Sequence, residues 1–142
     1  MTQSVFVKSI NIAVITALVP FIDKYPILKK LLNKSENPSS DWDFYMTVAG
    51  VGSYFLTNKV SEIKHKELLI ELAELDKQGV EALNNFTVFI ENNKNEGIDL
   101  KASIGFWVLW NIKGSQPTQD ESRELAPAIG AYLQKIISDL AR

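Results

Sequence analysis

The sequence predicts an all-α fold, a single helical domain over residues 1–142 built as a bundle of five to six helices, one of them a long central helix over about 61–93. Three observations carry this. Apolar residues recur at steps of three and four along most of the chain. No stretch alternates convincingly at the period of a strand, and no repeat or low-complexity tract interrupts the pattern. Breakers are few, seven glycines and five prolines in 142 residues, so each one divides the chain at a definite place.

The first helix is expected from about Gln3 to Val19. Phe6, Ile10, Ala13 and Ala17 mark one face, while Ile12, Val14, Ile15, Leu18 and Val19 fill the others. A helix apolar on every side is normally a buried one. Pro20 is expected to kink or end it, since proline lacks the backbone donor and crowds the preceding turn. The run 10–22 has the length of a signal-peptide core, but only Lys8 precedes it closely and no small-x-small cleavage pattern follows. Extending it to the roughly 20 residues of a membrane span takes in Lys8 or Asp23. A buried helix is therefore expected, and membrane contact is not. Pro26 suits the first turn of a short second helix through Leu32.

Residues 33–40, NKSENPSS, read as a loop. Ser40 can cap a helix over about Asp41–Asn58, with Asp43 three residues on. The small residues Ala49, Gly50, Gly52 and Ser53 inside it would let a neighbouring helix come close. Leu68, Leu72, Leu75, Gly79, Leu83, Phe86 and Ile90 keep one phase, which argues for a single helix from about Ser61 to Asn93. Gly97 is a natural stop. Asp99 can cap the next helix and Gly114 end it at Lys113; IGFWVLWNI, residues 104–112, has strand propensity as well, and the cap and stop decide for helix. Thr118 and Glu121 form a capping box for a last helix with a stripe of Leu125, Ile129, Leu133, Ile136 and Leu140, in which Pro127 should make a kink or mark a restart.

The bulk composition narrows the function. Charged residues are 23% of the chain and the net charge is −2, so no strong field draws it to nucleic acid. There is no cysteine, which removes thiolate nucleophiles, disulfides and thiolate metal sites and fits a cytoplasmic protein. His65 is the only histidine. Glu62 and His65 make one Glu-x-x-His pair, whereas di-iron bundles need two with further glutamates. Glu67, Glu71 and Glu74 form a carboxylate row whose plainer reading is a solvated face. No phosphate-cradling glycine loop or serine elbow is present. No cofactor and no metal is expected.

What remains is aromatic. Trp107 and Trp110 lie one helical turn apart, with Phe106 beside them, on a second helix apolar all round. Both indoles belong to the core if that helix is central. If the bundle cannot enclose two such helices, one leaves an apolar face for a partner, extended by Trp42, Phe44 and Tyr45. The candidate binding residues are thus Trp42, Tyr45, Phe106, Trp107 and Trp110. The expected function is a non-enzymatic interaction module (an adaptor, an inhibitor or an immunity-type partner), with self-association into a homodimer as one form of it. The alternative is a bundle that holds an apolar small molecule between helices near Trp107, Trp110, Gly50 and Gly52. A carboxylate-only enzyme would need Glu67, Glu71 or Glu74 buried in a cleft.

Overall fold

A computed structural model describes residues 6–32 and 38–140. Those residues form seven helices and no strand: α1 (Phe6–Lys24), α2 (Pro26–Leu32), α3 (Pro38–Thr57), α4 (Glu62–Leu75), α5 (Gly79–Asn95), α6 (Leu100–Lys113) and α7 (Gln119–Leu140). The all-α prediction holds, with one or two helices more than expected.

The largest correction concerns the long central helix over 61–93. It is two helices, α4 and α5, and neither is the centre. Asp76 leaves the helix with φ −154° and ψ 122°, and its backbone N–H still donates to the Leu72 carbonyl. The Asp76 carboxylate then accepts the Gln78 N–H at 2.8 Å, closing a tight turn that a helix would not allow. The phase of the apolar residues runs unbroken because Gly79 packs on Leu72 across the turn: a Cβ on Gly79 would sit 2.7 Å from Leu72 Cγ. The periodicity records a helix pair folded on itself as well as it would a straight rod.

The centre is α3, which touches α1, α4, α5, α6 and α7. Every residue from Met46 to Ser53 is buried. Its glycines serve the close approach expected of them: a Cβ on Gly50 would meet Ile10 Cγ2 at 2.8 Å, and one on Gly52 would overlap the Phe86 ring. The helix starts at Pro38, two residues before the expected cap Ser40, with proline in the first turn where its missing donor costs nothing. The predicted loop over 33–40 lies largely outside the described residues, and so does the Ser40 side chain.

Pro20 and Pro127 do not end their helices, as α1 runs on to Lys24 and α7 to Leu140. Both prolines are on the solvent side, along with Thr16 and Arg123, whose carbonyls lose a donor and can turn to water instead. The caps of α6 and α7 are as read. Asp99 accepts the Ala102 N–H at 3.1 Å, Gly114 closes α6 with φ +79°, and Thr118 and Glu121 exchange reciprocal bonds of 3.1 and 2.8 Å. The stripe of α7 shifts slightly: Ile137 is buried, whereas Ile136 is half-buried and Leu140 exposed.

The α6–α7 pair is the most closely packed. A Cβ on Gly105 would overlap the Ala126 carbonyl oxygen, and one on Gly130 would overlap the Lys101 carbonyl oxygen. Two glycines on facing helices thus let backbone meet backbone. Lys113 Nζ and Glu121 Oε1, 2.8 Å apart, tie the far end of the pair.

The expectation that α1 is enclosed fails on one side. Val7, Ile10, Val14, Leu18 and Phe21 are buried, but Ile12, Ile15 and Val19 are 53, 46 and 65% exposed. Neighbours cover α1 on one flank only, and nothing among the described residues lies over the other. By length and composition, α1 is apolar enough to cross a membrane.

Candidate functional site

The two tryptophans of α6 have separate fates. Three residues place them about 60° apart around the helix axis. Trp107 is 6% exposed and Trp110 is 42% exposed. Trp107 is held edge-on between two rings, Phe86 of α5 at 5.1 Å and Tyr45 of α3 at 5.6 Å between centroids. These tilted geometries suit the ring quadrupoles. Trp110 instead stands edge-on to Phe106 at 5.6 Å, and Phe106 lies parallel to Phe89 of α5 at 6.1 Å. Phe89, Phe106 and Trp110 therefore make one aromatic ridge along the α5–α6 groove.

Beside this ridge is a depression of about 300 Å³ lined by Asn85, Phe89, Trp107, Trp110 and Asn111. It adjoins a second of about 310 Å³, where Phe44, Tyr45, Gln78 and Glu81 meet Asn85, Trp107 and Asn111. The edge of Trp107 floors both. Asn111 is fixed by its Nδ2 donating to the Trp107 carbonyl at 2.8 Å, and Asn93 Nδ2 ties α5 to α6 through Ser103 Oγ at 3.2 Å. The result is a shallow aromatic groove with an amide on either side.

Of the residues singled out from sequence, Tyr45, Phe106, Trp107 and Trp110 come together here. Trp42 does not. It is fully buried, its indole N–H donates to the Val14 carbonyl at 3.1 Å, and its ring lies 5.5 Å from Phe21. It locks α3 to α1 and offers no surface. Gly50 and Gly52 are also away from the groove, their space being filled by Ile10 and Phe86.

The carboxylate row reads differently in three dimensions. Glu74 is exposed and Glu67 half-buried, but Glu71 is buried and its Oε1 accepts the Val7 N–H at 2.8 Å. It caps the start of α1 from another helix, where a carboxylate meets the positive end of the helix dipole. Burial pushes the Glu71 carboxyl up, and the Val7 and Phe6 amides offset this only in part, with Glu74 adding to the rise. Among the described residues the second oxygen, Oε2, has no hydrogen-bond partner. Glu67 also lies within electrostatic reach of Glu71 and adds to the rise.

Asp43, read as a helix-start residue, lies beside a smaller depression of about 170 Å³ with Asn11, Thr47, Leu75 and Asp76. Burial raises its carboxyl, and among the described residues Oδ1 has no hydrogen-bond partner. Sequence reasoning missed Glu71 as a buried acid and Asp43 as a half-buried one. A signal existed only for Glu71, which is flanked by Leu68 and Leu72 on the core side of α4. His65 is exposed and packs against Phe55, 4.4 Å between ring centroids. No group of three or more metal-capable side chains occurs among the described residues.

No family model matches the chain, and no curated protein and no solved structure matches it.

Proposed function

We propose that the chain is a single helical domain of the cytoplasm acting as a non-enzymatic interaction module that docks a protein partner along the α5–α6 groove. One observation carries this reading: Trp110, a large ring nearly half open to solvent, is braced by Phe106 and Phe89 rather than left loose. Such a ring presents much apolar area with little conformational entropy left to lose, which is why tryptophan dominates binding hot spots. The depressions beside it and the amides of Asn85 and Asn111 supply the recess and polar rim that an inserted side chain needs.

Quantitative affinity capture with the full chain tests this, comparing wild type with Trp110→Ala. A specific partner should be retained by wild type and lost with Trp110→Ala, at a cost of about 2 kcal/mol in binding. If both recover the same proteins in the same amounts, the groove is not the docking surface.

A second reading follows from the recess at Phe89, Trp107 and Trp110, which has the lower size limit of a small-molecule site. Native mass spectrometry of the freshly purified protein distinguishes the two: a bound small apolar mass, lost with Trp110→Ala, favours the ligand.

A further inference from the structure

We infer that the open face of α1 is a self-association seam, on which a second copy of this chain packs its own α1 antiparallel. This surface is on another helix from the α5–α6 groove and does not depend on it. At about 100° per residue, Lys8, Ile12, Ile15, Val19 and Asp23 fall on one side of α1. All five are exposed. Lys8, Ile12, Ile15 and Val19 step by four, three and four, the spacing of a coiled-coil seam. The middle of the stripe is apolar, and its two ends carry one charge of each sign.

That order is self-complementary in one direction only. Laid antiparallel about a two-fold axis between Ile15 and Thr16, Ile12 of one copy meets Val19 of the other, and Ile15 meets Thr16. Lys8 meets Asp23 at both ends, giving two ion pairs. A parallel pairing would set Lys8 against Lys8 and Asp23 against Asp23. Among the described residues neither Lys8 nor Asp23 has an ion-pair partner within the chain. An isologous contact of this kind closes on itself, and so makes a dimer rather than a fibre. The stripe is about 22 Å long at 1.5 Å per residue, so the buried area lies near the low end of stable interfaces, about 1,200 Å². Dissociation in the micromolar range is therefore expected.

Sedimentation of the full chain from about 1 µM to about 1 mM tests the seam. Wild type should pass from monomer to dimer. Lys8→Glu and Asp23→Lys alone should each weaken the dimer by roughly tenfold, since each sets like charges together at both ends. The double variant Lys8→Glu with Asp23→Lys should restore it, a result that a merely structural role would not give. These positions are exposed, so the variants should fold, which circular dichroism checks. Because the chain has no cysteine, orientation can be read by cross-linking. Thr16→Cys should cross-link to itself, whereas Lys8→Cys should cross-link to Asp23→Cys and not to itself. Monomer at every concentration overturns the seam. So does self-cross-linking of Lys8→Cys, or flotation of a monomer with phosphatidylcholine–phosphatidylglycerol vesicles that Val19→Glu abolishes.

Discussion

The helices α1 and α6 are alike in sequence, each apolar on every side, and opposite in place. Helix α6 has α7 against its backbone on one side and α2, α3 and α5 on others, so of its large apolar side chains only Trp110 is exposed, with Phe106 and Leu100 half-buried. Helix α1 has neighbours along one flank, and Ile12, Ile15 and Val19 are open. The difference lies in the partners. Gly130 on α7, facing α6, and Gly105 on α6 itself let two helices approach until side chains are no longer needed between them. Helix α1 also touches α2, α3, α4 and α7, so what differs is how closely the neighbours approach and not how many there are. No such glycine lies on α1. All-round apolar composition thus marks a helix with surfaces to cover, and the rest of the chain decides whether they are covered from within.

The sharpest way to break this contrast is in α6. Trp107→Ala should cost about 3–5 kcal/mol in urea unfolding, since the ring is enclosed by Phe86 and Tyr45. If the loss is under about 1 kcal/mol, α6 is not the enclosed helix described. Gly105→Ala adds only a methyl group, but against a backbone carbonyl that cannot rotate away, and should cost about 3 kcal/mol, the upper end for overpacking.

Next in size is Glu121→Gln, which unties α6 from α7 at the Lys113 end and should cost about 1 kcal/mol at neutral pH. Burial pushes the Glu121 carboxyl up, but the bonds from Lys113 and the Thr118 N–H, with the Lys113 charge, outweigh it and hold it below its ordinary value of 4.5. The contribution is thus complete above that ordinary value and disappears as pH falls through the lowered one, where variant and wild type should converge.

On α1 the sign reverses. The Glu71 carboxyl is raised above its ordinary 4.5, so the folded chain holds that proton more tightly than the unfolded chain. Its ionisation weakens folding as pH rises from the ordinary value through the raised one. Glu71→Gln keeps an acceptor for the Val7 N–H and should gain on wild type across that window, by urea unfolding at successive pH values. A difference flat in pH would show that Glu71 does not titrate as a buried acid.

The smallest effect should be Ile15→Ser, which replaces an exposed residue and should change monomer stability by less than about 0.5 kcal/mol when measured at low concentration. A larger loss would mean that the outer face of α1 is covered within the monomer.

The legible parts of the fold were local. Asp99 with Gly114, Thr118 with Glu121, and Pro26 are start and stop signals satisfied within a few residues, and the structure places them as read. The turn at Asp76 was not legible, because a carboxylate taking the Gln78 N–H competes with the helix only by a small margin while the apolar phase is preserved across it. Nor could the sequence distinguish Trp107 from Trp110. They differ in what approaches them, Phe86 and Tyr45 for one and solvent for the other, and those neighbours lie more than twenty residues away in the chain. Trp42 was grouped with the candidate surface for the same reason, and only the Val14 carbonyl reveals its place.

The hydrogen bond from the Val7 amide to Glu71 spans 64 positions. An amino end completed by so distant an acceptor stays unfinished while the chain is being synthesised, until α4 has left the ribosome. The most amino-terminal of the described helices would then have to wait for the fourth before taking its final pose, and its greasy outer stripe would be on offer to chaperones throughout that wait.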